Sequence, residues 1–138
     1  MINFTVFGEP NSLKRHRAFR RGKALVMVDA SKTDKQDFLA QAIKNKPKKP
    51  LDVPIILEVH AFFMRPKAHF NKKGLKNNAP HFCSKTPDID NILKFVGDAL
   101  NKVFWTDDKL IVRAICSKRY DDVPRVEIMI KEAKEETI

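Results

Sequence analysis

The sequence predicts an α+β fold, because two kinds of hydrophobic repeat interleave along its 138 residues. Five segments carry the short apolar runs or period-2 alternation of strands, and two repeat at helical spacing, giving about five strands packed with two main helices. Apolar residues make up 43% of the chain and charged residues 32%, a balance that supports a packed core and excludes a disordered chain. The length suits one domain, 1–138, with no internal repeat and no linker to divide it.

Ile2, Phe4 and Val6 alternate with Asn3 and Thr5, which predicts a half-buried strand ending at Gly8-Glu9-Pro10. The run from Lys14 to Lys23 is too basic for a core, and Ala24–Val28 reads as a second short strand, so the two together predict a hairpin with a basic tip. Ser31 followed by Asp34 resembles a capping box that opens a helix with the stripe Phe38, Leu39, Ala42 and Ile43, closed by Pro47 and Pro50. Between 54 and 64, Ile55, Leu57, Val59, Ala61 and Phe63 share one face while Glu58 and His60 take the other, predicting the longest and most central strand. Residues 65–87 lack periodicity and read as a long basic loop containing Lys67, Lys72, Lys73, Lys76 and Lys85. Ile89, Ile92, Leu93, Val96 and Leu100 then predict an amphipathic helix that frays near Asn101. Two strands, 110–119 and 125–131, flank a turn at Asp121-Asp122-Val123-Pro124, and 132–138 read as a loose tail.

No apolar run approaches the length of a membrane span, and the N-terminus lacks the basic and apolar regions of a secretory signal, so a cytoplasmic protein without membrane partners is expected. Cys83 and Cys116 stand far apart with no zinc or redox spacing and read as ordinary reduced thiols. His60, His69 and His81 likewise lack metal-ligand spacing. The net charge of +10 is unevenly spread: residues 1–86 carry net +12 and residues 87–138 net −2. Cations that hold a polyanion beside acids that hold a metal are what phosphodiester hydrolysis needs. Simple solubility would account for the total charge equally well.

The chemistry concentrates in Asp88-Ile89-Asp90-Asn91-Ile92-Leu93-Lys94 and Trp105-Thr106-Asp107-Asp108. If the chain is still extended at 88–90, the carboxylates at i and i+2 point the same way and Ile89 faces the core. Lys94 lies one helical turn above Asp90. A carboxylate from the Asp107-Asp108 pair would complete an oxygen site for Mg²⁺, which keeps positions for water and phosphate. Such a metal would activate water while Lys94 offsets transition-state charge. The ordinary alternatives are an N-cap at Asp90, an exposed Asp90–Lys94 helix pair, and a turn at Asp107-Asp108. Asp98, flanked by Lys94 and Lys102, reads as a helix-pairing acid outside the site, and Phe104 and Trp105 as core anchors.

In order and spacing, the block Lys85-Thr86-Pro87-Asp88-Ile89-Asp90-Asn91-Ile92-Leu93-Lys94, Asp98-Ala99-Leu100-Asn101, Trp105-Thr106-Asp107-Asp108 and Ser117-Lys118-Arg119-Tyr120 resembles the RusA family of Holliday-junction resolvases. Weaker similarity covers Gly8-Glu9-Pro10 and the 14–19 segment, although His16 stands where many relatives have proline and the 65–87 loop is longer than in the shortest members. The resemblance implies a mixed sheet, metal-binding Asp88, Asp90 and Asp108, an essential Lys94, and Mg²⁺ with Mn²⁺ as a substitute. It also implies a homodimer that makes paired cuts in four-way DNA during recombination and repair, in a phage or prophage setting. Lys14, Arg15, Arg17, Arg20, Arg21 and Lys85 are the expected DNA-binding residues. Two rival readings remain: a non-catalytic nucleic-acid-binding module, and a metal-dependent nuclease for flap or single-stranded DNA.

Overall fold

A four-stranded mixed sheet carries two helices on one face in the computed structural model, which describes residues 1–14 and 17–135, Arg17 through its backbone alone. Its strands are β1 (Ile2–Phe7), β4 (Ile55–Met64), β7 (Ile111–Asp121) and β8 (Arg125–Glu132), in the spatial order β1-β8-β4-β7. β8 runs antiparallel to both β1 and β4, whereas β4 and β7 are parallel. A parallel pair needs a long crossover, and here it contains α2 (Ile89–Leu100). The other helix, α1 (Lys32–Ala42), precedes β4.

Alternation decides which face is buried. Phe4 and Val6 of β1, Leu57, Val59 and Ala61 of β4, and Val126, Ile128 and Ile130 of β8 point to the helices and form the core. The helices answer with Phe38 and Ala42 from α1 and Ile92, Phe95, Val96, Ala99 and Leu100 from α2. Phe38 meets Phe95 edge-on at 5.6 Å between ring centroids, which locks the two helices together. The opposite face has no helix among the described residues and mixes polar side chains with Ile56, Phe62 and Met129. There His60 Nδ1 lies 2.6 Å from Ser117 Oγ, and the Arg125 guanidinium packs 3.9 Å above the Phe62 ring.

Several expectations need correction. The fifth strand is not in the main sheet: β3 (Ala24–Val28) pairs only with β2 (Arg17–Arg21) in a separate hairpin whose turn is Gly22-Lys23. Leu25 and Met27 are exposed, so this hairpin lacks the buried face that would draw it into the sheet. β7, with 11 residues, exceeds the 10 of β4, although β4 is interior as expected. Ser31 makes no side-chain cap to α1; its buried Oγ accepts from the Lys14 backbone N at 2.7 Å instead. Ile43 is exposed rather than part of the buried stripe.

The 65–87 segment is more structured than a plain loop. It holds the small hairpin β5 (Phe70–Asn71) and β6 (Gly74–Leu75), and it returns along the edge of β7 through Tyr120 N to His81 O (2.9 Å) and Cys83 N to Lys118 O (3.1 Å). β8 extends through Glu132, and Ala133 N donates to Pro54 O at 2.8 Å, so the tail expected from 132 onward begins later; 136–138 lie outside the described residues.

Candidate active site

α2 is the frame of the site. Its apolar positions face the sheet, which turns Asp90 and Lys94 outward to solvent and sets Gly97 at i+7 from Asp90. Asp90 Oδ2 and Lys94 Nζ are 3.9 Å apart, a loose and largely exposed pair. Asp88 is the N-cap residue in extended conformation, but its side chain makes no cap hydrogen bond. The helix therefore starts two residues earlier than a continuous strand through Asp90 would require. As a result Ile89 is 43% exposed instead of facing the core.

Asp108 arrives from the other end of the helix. After α2 the chain turns at Asn101-Lys102, and Lys102 takes the positive φ of 70° that reverses its direction. Phe104 and Trp105 are fully buried, as core anchors should be. The Leu51 backbone pins them on both sides, donating to Phe104 O at 2.9 Å and accepting from Thr106 N at 3.0 Å. From this anchor the Trp105 indole Nε1–H donates to Asp108 Oδ1 at 2.7 Å. The second carboxylate oxygen of Asp108 has no protein hydrogen bond among the described residues. Asp107 behaves differently: its Oδ1 accepts from Lys109 N at 2.9 Å and caps the short 3-10 turn Asp108–Leu110.

Between α2 and the start of β7 lies a cleft of about 230 Å³, open because Gly97 and Ala114 contribute so little side chain. Lys94, Asp98 and Asp108 line it together with apolar Leu93 and Ile111. Asp98 thus belongs to the cleft rather than standing apart. Its cationic partner is Lys35 of α1 at 3.9 Å, because Lys102 has already left the helix.

The three aspartates share the α2 side of the molecule without closing into a cage. Seven residues separate Asp90 from Gly97, the helical neighbour of Asp108, a rise of about 10 Å. Among the described residues no three His, Cys, Asp or Glu side chains gather as a metal-holding group. Mg²⁺, however, is usually held by one or two protein carboxylates, with water and phosphate completing its octahedron. Hard oxygen donors without tight ion pairs at Asp88, Asp90 and Asp108 fit such an open site.

The expected DNA contacts divide. Lys14 is tied to α1, its Nζ 3.1 Å from Asp34 Oδ2, and the preceding Leu13 N donates to Asn91 O in the first turn of α2 at 3.3 Å. The basic segment therefore starts beside the acidic end of α2. Arg20 and Arg21 are exposed on β2 and, as successive strand residues, point to opposite faces. Arg15 and the Arg17 side chain lie outside the described residues. Lys85 is exposed on the strap leading to Asp88, where the Thr86–Pro87 bond is cis. Near it, Arg65 donates to Pro80 O at 2.8 Å and lies against His69 and His81. Loss of hydration, then the charges of Arg65, Lys85 and Lys76, hold His69 below its ordinary pKa of 6.5.

Lys118 stands in the Ser117–Tyr120 part of the family block, but the sequence assigned it no role. Its Nζ donates to Lys85 O at 2.5 Å and to Pro87 O at 2.8 Å. A signal existed in its parity, since Cys116 and Tyr120 on the same face of β7 pack against the core. Both cysteines are free, and burial pushes the Cys116 thiol up to about 11, in keeping with an unreactive thiol. Among the described residues no helix is long and apolar enough to cross a membrane.

Comparison with known proteins identifies the family of the chain. The family described as "Endodeoxyribonuclease RusA" matches residues 8–131, which include every part of the site. The uncharacterized protein YqaN of Bacillus subtilis (strain 168) is 35% identical over 136 residues, 95% of this chain and 96% of its own. The crossover junction endodeoxyribonuclease rusA of Lactococcus phage r1t is 32% identical over 117 residues, 81% of each chain. With a family match spanning most of its length and a cleft lined by lysine and aspartate, this chain belongs to the RusA family of endodeoxyribonucleases.

Proposed function

We propose that this chain is a Mg²⁺-dependent endonuclease that resolves Holliday junctions by paired phosphodiester cuts, acting as a homodimer in recombination and repair of phage or prophage DNA. The observation that carries the reading is the meeting of Lys94 and Asp108 in one cleft on α2, with Asp90 one turn from Lys94. The phage relative, described as a crossover junction endodeoxyribonuclease, supports the substrate.

In this reading Asp88, Asp90 and Asp108 hold the metal, Mg²⁺ or Mn²⁺ in its place. Bound there, the ion would supply Lewis acidity and a water of lowered pKa. The chain's own residues do the rest. Trp105 restricts Asp108 to one orientation, leaving its second oxygen for the site. The Lys94 ammonium, exposed and only loosely paired, is available to a phosphate oxygen and offsets the charge that builds as the phosphorus accepts a fifth oxygen.

Lys14, Arg15, Arg17, Arg20, Arg21 and Lys85 bind the backbone phosphates, and such contacts make binding salt-dependent. Two equivalent cuts across a two-fold junction call for two equivalent sites, which a symmetric dimer supplies.

The test is nicking of a four-way junction by wild type and Asp90→Asn, in Mg²⁺ and in chelator. Wild type should cut only with metal. Asparagine keeps the shape but removes the charge, so junction binding survives and cutting falls at least about a hundredfold, beyond the 10- to 100-fold typical of outer-shell changes. Binding without cleavage by wild type in Mg²⁺ would leave a non-catalytic module, and preference for flap or single-stranded DNA would change the substrate. Wild-type cutting by Asp90→Asn would refute the metal role of Asp90.

A further inference from the structure

Lys118 is a cation on the apolar side of the sheet. Its register partner in β4 is Ala61, fully buried, and its neighbours on the same face of β7, Cys116 and Tyr120, pack against the core. Bringing an ammonium into such surroundings costs free energy unless its donors are satisfied. They are satisfied by the two carbonyls of the strap before α2, Lys85 O and Pro87 O.

That strap has two fixed ends. Upstream, residues 81–83 are bonded to the edge of β7 through Tyr120 N to His81 O and Cys83 N to Lys118 O. Downstream, Asp88 O accepts the first helical bond of α2, from Ile92 N at 3.2 Å. The Asp88 side chain makes no cap bond, so backbone placement sets where its carboxylate stands. The Pro87 carbonyl held by Lys118 belongs to the peptide that enters Asp88.

We propose that Lys118 is the positioning residue for Asp88: by clamping the strap at Lys85 and Pro87 it fixes the carboxylate at the entrance of α2 for a divalent cation. The clamp rests on the metal role assigned above to Asp88. It predicts that losing the two hydrogen bonds weakens metal binding through Asp88 while the sheet, the helices and the cations Lys14, Arg20 and Arg21, which lie outside the strap, stay in place.

The experiment measures Mn²⁺ uptake by the full chain, read from loss of the free-ion EPR signal, with junction binding in the absence of divalent metal measured alongside. Lys118→Met keeps length and removes the donors. It should weaken Mn²⁺ binding about tenfold, within the range for outer-shell partners of a metal site. Junction binding should fall by no more than the loss of one phosphate contact, that of Lys85, and Lys118→Arg should restore the ion. Asp88→Asn should weaken Mn²⁺ as well, and Lys118→Met added to it should change nothing further. If the methionine variant does not fold, Lys118→Gln, which keeps part of the donor set, should fall between wild type and Asp88→Asn.

Wild-type Mn²⁺ affinity in Lys118→Met or in Lys118→Gln overturns the clamp alone. So does an arginine variant no better than methionine, or a methionine effect of full size in the Asp88→Asn background. Wild type that takes up no Mn²⁺ overturns the metal reading and the clamp with it.

Discussion

Replacing Trp105 by phenylalanine tests how Asp108 is held. Trp105 is fully buried, and its indole N–H donates to Asp108 Oδ1 at 2.7 Å. A hydrogen bond to a charged group contributes about 1.5 to 3 kcal/mol, and the solvent exposure of Asp108 reduces that to roughly 1 to 2 kcal/mol. Phenylalanine is smaller by about 40 Å³, and at about 24 cal/mol per Å³ the void adds about 1 kcal/mol. Trp105→Phe should therefore cost about 2 to 3 kcal/mol, read as a lower urea midpoint at unchanged slope. Asp108→Asn should be nearly neutral by the same measure, because its amide oxygen still accepts from the indole, yet it should lose cutting. A double-mutant cycle of Trp105→Phe with Asp108→Ala isolates the bond, and a coupling of about 1 to 2 kcal/mol is expected. Coupling near zero would refute the claim that the indole orients this carboxylate.

Two further outcomes follow from the charge arrangement. Arg20 and Arg21 point to opposite faces of β2, so one DNA strand can meet only one of them; replacing both by alanine should lower the salt slope of junction binding by about 1, and an unchanged slope would remove β2 from the DNA interface. Asp121 is held below its ordinary carboxylate pKa of 3.8, first by its hydrogen bond from Arg125 and then by the Asp122 backbone N–H. A depressed carboxylate contributes stability above its unfolded pKa and loses it as pH falls through the folded one. The gap in urea stability between wild type and Arg125→Met should therefore narrow from pH 6 to pH 3, and a constant gap would mean that Asp121 is not the partner that matters.

The main sheet was legible where one face is buried and the other wet. In β1, β8 and β4 beyond Ile56 the alternation of the sequence is the alternation of burial, so strand and orientation follow together. The β2–β3 hairpin was legible as a hairpin but not in its relation to the sheet, since Leu25 and Met27 look like core residues and are exposed. Ser31 illustrates a different limit. Its spacing to Asp34 fits a capping box, but a tertiary donor, the Lys14 N–H, takes the hydroxyl. Within the site, the Asp90–Lys94 pair could be read from helical spacing, and so could the need for a carboxylate at 107 or 108. Spacing alone left those two open and the family resemblance favoured Asp108; the physical difference lies in the turn, where Asp107 caps the backbone and Asp108 faces the cleft.

The least legible feature was the support beneath the acids, and the reason is physical. A lysine in a strand is ordinarily read as solvent-facing, because burying its charge without partners is costly. The partners of Lys118 are backbone carbonyls 31 and 33 residues away, which no local pattern encodes. The same holds for Asp108, whose orientation depends on an indole anchored by the backbone of Leu51. Helical period thus placed Asp90 and Lys94 on a single face, while non-local hydrogen bonds hold the other two carboxylates at its ends. Asp88 hangs from the sheet edge through Lys118, and Asp108 from the core through Trp105.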